Sequence, residues 1–322
     1  MDPSFHEARE RFTKPKPAHS PFKSTKFQRQ LARNPYARAL ATPPRRCPIS
    51  CSTLPNYFFE RFALVAHPDT HQPWFVPQDL ESKAPGTPSA TAEPPQGIKT
   101  GPSAYVLSRQ LLFQELQRGD SPYHDAYKRL FRMSDHGQSR LSSVLNRTSW
   151  RSDMDAVLLE LMRRRVVESL LHFATTSEKE NRKKYLVKCE TWDSVKELKH
   201  RGCLLFLGRQ EGAPPDSEPE SPPPRLSMMT IEGVKFGGKL AVHNLMVLLG
   251  EAHTARLKRE SQLLSDGSLF LLGRQATVKL QMLLWKLQGY MAWGEPPGTA
   301  PPNVSAPADE PPTREPPMDS PK

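Results

Sequence analysis

The sequence predicts an α+β fold: a helical N-terminal half packed with a small α/β C-terminal part, flanked by disordered basic and proline-rich segments. Three observations carry this. Between Pro102 and Phe173 apolar residues recur at helical spacing. Beyond Glu178 short apolar runs bounded by glycine alternate with helical patterns. Around both, 34 prolines and a hydrophobic content of only 37% dilute the chain with stretches whose apolar surface is too small to offset ordering entropy.

Those stretches set the organisation. Residues 1–53 read as a basic, largely disordered arm or targeting segment, 54–81 as an aromatic-rich ordered segment, 82–101 as a linker, 102–293 as the α+β domain with a disordered insertion at 211–225, and 294–322 as a disordered proline-rich tail. The aromatic segment carries Tyr57, Phe58, Phe59, Phe62, Trp74 and Phe75, which either anchor it onto the domain or, lying next to a basic arm, stack on unpaired bases.

Within the arm, Phe27 to Ala41 fits an amphipathic helix around Leu31, Tyr36 and Leu40 with a break at Pro35. In the domain, Ser103 caps a predicted helix bearing Val106, Leu107, Leu111 and Leu112 that stops at Gly119, and Ser121-Pro122 starts a second presenting Tyr123, Tyr127, Leu130 and Phe131. Asp153 to Phe173 is the clearest helix, with Met154, Val157, Leu158, Leu161, Val166, Leu170 and Phe173 on one stripe. Tyr185 to Cys189, a helix from Asp193 to His200, and Cys203 to Leu207 then make a β-α-β pattern. Ser227 to Ile231 and Leu269 to Leu272 read as strands, Leu240 to Glu260 as largely helical, and Gln275 to Met291 as a long amphipathic helix. The run Gly202 to Gln210 is nearly repeated from Gly267 to Gln275, which predicts two strands in one sheet with Arg209 and Arg274 at matching ends.

Charge is concentrated. Of the net +11, residues 11–59 hold ten cations and no Asp or Glu. The candidate phosphate-binding residues are Lys23, Lys26, Arg29, Arg33, Arg38, Arg45 and Arg46 in the arm, and Arg147, Arg151, Arg163, Arg164 and Arg165 around the long helix, where three consecutive arginines cannot all avoid the apolar stripe. An acid-free segment rich in Arg, Lys, Ser and Ala also has the composition of a transit peptide, so a mitochondrial (matrix) address is expected, with the nucleus as the alternative. No apolar run approaches the roughly 20 residues of a membrane span, and four cysteines point to a reducing compartment rather than a disulfide scaffold.

Two motifs bear on chemistry. Cys47 and Cys51 followed by His67 and His71 have a spacing near that of a tetrahedral zinc site, although Pro68 keeps the histidines from sharing one helix face. Gly233, Gly238 and Lys239 match the spacing of a phosphate-binding loop, but Leu240 stands where a magnesium-binding Ser or Thr belongs, and a glycine-rich turn before a helix explains the run as well. No nucleophile elbow or zinc-protease motif occurs.

The plan is similar, at the level of class, to proteins of mitochondrial ribosomes and mitochondrial gene expression, which join a compact domain to basic extensions reaching into rRNA. The expectation is therefore a non-catalytic RNA-associated component of a ribonucleoprotein, with rRNA and protein neighbours as partners and no cofactor. A nuclear zinc-dependent nucleic-acid-binding or regulatory protein, and an enzyme with a nucleotide-binding α/β domain, are the alternatives.

Overall fold

A computed structural model describes residues 25–67, 70–78, 103–130, 147–179, 184–189, 195, 202–208, 227–231, 238–265, 269–272 and 274–292. Over these the fold is α+β. The arm is structured from Thr25 onward. Helix α1 (Lys26–Arg33) starts on a capping box between Thr25 and Gln28. Asn34 ends it and caps α2 (Pro35–Leu40) by accepting from the N–H groups of Tyr36 and Ala37, with Pro35 at the first helical position, where a missing N–H costs nothing. The expected break at Pro35 is thus a cap between two helices. A hairpin of β1 (Pro44–Arg46) and β2 (Thr53–Pro55) follows and buries Cys47 and Ile49, so the part of the arm from Ala39 on belongs to the core and is not the loose tail expected of residues 1–53.

The aromatic segment forms β3 (Phe59–Ala66) and β4 (Pro73–Pro77), and β5 (Ser103–Leu107) completes an antiparallel sheet of order β4-β3-β5. Phe59, Phe62 and Phe75 are buried, which is where the segment's aromatic surface goes. The helix expected from Ser103 is corrected here: Ala104 and Val106 face the core in alternation with Tyr105, pairing with β3, and the helix α3 (Gln110–Gln117) begins only after them. The edge of β3 decides this, and no local period reveals it. The helix expected after Pro122 is a series of turns with one 3₁₀ turn at Ala126–Arg129, preceded by Asp125 in the left-handed region.

Helix α4 (Met154–Lys179) lies at the centre, burying Leu158, Met162, Val166, Val167 and Leu170. Its C-terminal carboxylate Glu178 accepts from Ser261 Oγ and from the Leu263 N–H, tying it to the C-terminal part. That part is a mixed sheet of β6 (Leu186–Cys189), β7 (Cys203–Phe206), β8 (Ser227–Thr230), β9 (Lys239–Asn244) and β10 (Leu269–Leu272), in the order β6-β10-β7-β9-β8. On it α5 (Leu245–Leu249) packs against β7 and β9, while α6 (Glu251–Glu260), α7 (Gln262–Ser265) and α8 (Val278–Met291) pack against α4.

Three expectations change. The predicted helix over Leu240 to Glu260 opens instead as β9, parallel to β7, because a largely buried run such as Leu240 to Asn244 serves a strand as well as a helix. Beta strands β6 and β7 run parallel, but β10 lies between them, antiparallel to both. The two echo strands do share a sheet, yet antiparallel, with Leu269 opposite Phe206 and Leu272 opposite Cys203, so their C-terminal ends point in opposite directions. Arg209, and the predicted helix over 193–200 apart from Val195, lie outside the described residues.

Candidate nucleic-acid interface

Helix α1 buries none of its residues, and Lys26, Arg29, Arg33, Arg38, Arg45 and Arg46 are all exposed. Among the described residues none of the six has a carboxylate partner; Arg45 lies 5.2 Å over the Tyr105 ring. Beside them Phe27 is 66% and Leu40 57% exposed. What makes this a platform is its attachment. Tyr36 packs edge-on against Trp285 of α8 at 4.7 Å, Ala39 is fully buried, and the Tyr57 N–H donates to Thr42 Oγ1. Lys23 lies outside the described residues.

The second basic group is used differently. Arg163 donates through Nε to the Leu248 carbonyl at 2.9 Å, satisfying the C-terminal end of α5, and burial lowers its pKa. Arg164 stands 3.6 Å from Glu168, Arg165 is half-buried, and Arg151 pairs with Asp153. Only Arg147 is exposed with no partner among the described residues. The five do not form one patch of free cations.

Cys47, Cys51, His67 and His71 are also kept apart in role. Cys47 is buried in the core and its Sγ accepts from the Ser50 N–H, Cys51 is exposed in the left-handed region, and His67 accepts from the Thr70 N–H inside the β3–β4 hairpin, its ring 5.1 Å from Trp74. Among the described residues no group of three or more His, Cys, Asp or Glu stands where it could hold a metal ion. The segment resembling a phosphate-binding loop is described only from Gly238, and Lys239 there begins β9, where such a loop requires the start of a helix.

Sequence reasoning missed one feature. A cleft of about 190 Å³ lies where α8 crosses the start of β3 and the end of β5, walled by Leu54, Tyr57, Phe58, Leu107 and Trp285, with Ser108, Arg109, Lys286 and Gly289 completing it. Tyr57 and Trp285 are stacked at 5.2 Å, with Phe58 edge-on at 5.6 Å; the Tyr57 hydroxyl donates to the Met282 carbonyl, and burial raises its pKa. Behind Ser108 and Lys286 stands Glu60, fully buried. Its Oε1 accepts from Ser108 Oγ at 2.7 Å and from Lys286 Nζ at 2.8 Å, and Lys286 also donates to the Phe59 carbonyl, while Oε2 has no partner. The available signal was Glu60 itself, one acid inside the aromatic run from Tyr57 to Phe62.

Comparison with known protein families, with curated proteins and with solved structures finds no match. Among the described residues no helix is long and apolar enough to cross a membrane.

Proposed function

We propose that this chain is a non-catalytic RNA-associated protein, a structural or assembly component of a mitochondrial ribosome or gene-expression complex. Its RNA is ribosomal, and protein neighbours dock on the α+β domain. One observation carries the reading: six exposed cations without carboxylate partners stand on α1, α2 and the β1–β2 hairpin, of which α2 and the hairpin are anchored to the rest of the fold through Tyr36, Ala39, Cys47 and Ile49. Unneutralised cations on elements that are already folded suit a polyanion, since counterions are released from the phosphates on contact and little ordering entropy is lost.

The test is binding of the full chain to single-stranded RNA across a salt series. If the six cations engage phosphates, log K falls against log salt with a slope of about −4, and changing Lys26, Arg29, Arg33, Arg38, Arg45 and Arg46 together to glutamine flattens it. A flat slope in the unmodified chain refutes the proposal. Sedimentation of a tagged full chain with mitochondrial ribosomal particles, released at high salt, tests the address; accumulation in the nucleus refutes it.

A further inference from the structure

We propose that the cleft beside Trp285 receives one unpaired base of the strand whose phosphates the arm holds, a reading that rests on the RNA function above. Size is the first argument. About 190 Å³ is below the roughly 300–1,000 Å³ of sites for drug-sized ligands and leaves room for one heterocycle. The wall is the second: Tyr57, Phe58 and Trp285 line the cleft, and stacking on such residues is how proteins hold unpaired bases.

The polar groups are the third. The Ser108 hydroxyl donates its one hydrogen bond to Glu60, so its oxygen lone pairs remain as acceptors, whereas Lys286 has two of its three N–H groups committed, to Glu60 and to the Phe59 carbonyl. The cleft therefore offers an acceptor beside a donor, the pairing found along a base edge; a phosphate presents acceptors only. Charge agrees with this. Glu60 neutralises Lys286 at 2.8 Å, so the ammonium at the back of the cleft is already paired and does not call for a phosphate. The two sites adjoin, because Tyr36 of α2 packs on Trp285 and Arg45 is paired in register with Leu54, a wall residue one strand spacing away, about 5 Å.

The experiment compares the full chain's affinity for a short oligouridylate and for its abasic counterpart of equal length. Gly289 supplies the blocking variant: it lines the cleft on α8, and a Cβ placed there meets nothing within 4 Å, so Gly289→Leu starts a side chain from open space into the cleft. The unmodified chain should prefer the base-bearing strand by roughly 5- to 150-fold. Gly289→Leu should lose that preference while keeping the abasic affinity and the salt slope, and Ser108→Ala should reduce the preference. The arm variant should weaken both strands alike. Equal binding of the two strands by the unmodified chain overturns the cleft proposal alone, as does a preference retained in Gly289→Leu. Uridine monophosphate binding as tightly as the strand also overturns it, since the site would then serve a free nucleotide. Failure to bind either strand overturns the RNA reading, and the cleft with it.

Discussion

Lys286→Met tests the buried pair at the back of the cleft. In the native fold Glu60 is fully buried and its side chain meets two donors, Ser108 Oγ and Lys286 Nζ, both on Oε1. Removing the ammonium leaves a carboxylate with one hydroxyl and an already unpartnered Oε2. Breaking one half of a buried pair costs about 3–5 kcal/mol, and the lost bond to the Phe59 carbonyl adds about 1 kcal/mol. Against a usual total of about 5–15 kcal/mol, this removes about a quarter of the stability or more. Urea denaturation followed by circular dichroism reads it as a lower midpoint at unchanged slope. The double variant Glu60→Met with Lys286→Met, which takes the charge out altogether, should recover most of the loss and yield a coupling energy of about 2 kcal/mol or more. A single-variant loss under about 1 kcal/mol would mean that water reaches Glu60, and the account of a dry pair would be refuted.

His243, buried in β9 and bonded to Gln288, has its pKa pushed down to about 4 by burial. The unfolded chain, with histidine near pH 6.5, binds a proton there that the native state refuses, so stability should fall as pH drops from about 6.5 to 4, by up to about 1.4 kcal/mol per unit; His243→Leu should flatten that part of the pH–stability profile. Gly250, between α5 and α6, has φ +77° and ψ 172°, a conformation essentially confined to glycine, and Gly250→Ala should cost about 1–3 kcal/mol in thermal or urea unfolding. Arg163→Met removes the donor to the Leu248 carbonyl and should lower stability by about 1–3 kcal/mol while leaving RNA affinity unchanged; a loss of affinity without a loss of stability would return Arg163 to the phosphate-binding set.

Elements whose period is local were legible in the sequence. The long helix around Leu158 and Leu170 and the strands at Leu186, Leu204 and Leu271 stand where their patterns put them. Elements decided by a distant partner were not. Val106 and Leu107 satisfy a helical spacing but join β3 because its edge is there to pair, and Leu240 to Asn244 join β7 for the same reason. Charge was legible as composition and illegible as geometry. The arm's six described cations are exposed, as a run without acids suggests, whereas the use of Arg163 depends on a carbonyl 85 residues away. The cleft was hidden for that reason too, since Glu60, Ser108 and Lys286 meet only after β3, β5 and α8 have come together.

The place of β10 has a consequence in time. It is the last strand among the described residues, yet it sits between β6 and β7 and pairs with both. A chain emerging vectorially, from a ribosome or through a translocation pore, exposes the facing edges of β6 and β7 until Leu269–Leu272 arrives, and the hydroxyl of Tyr57 waits longer still for the carbonyl of Met282, 225 residues on. Such long-range closure is slow, and unpaired edges invite association with other chains. Assembly of this sheet is therefore a late, all-at-once event, and a chain cut short before Leu269 should depend on chaperones and aggregate where the full chain folds.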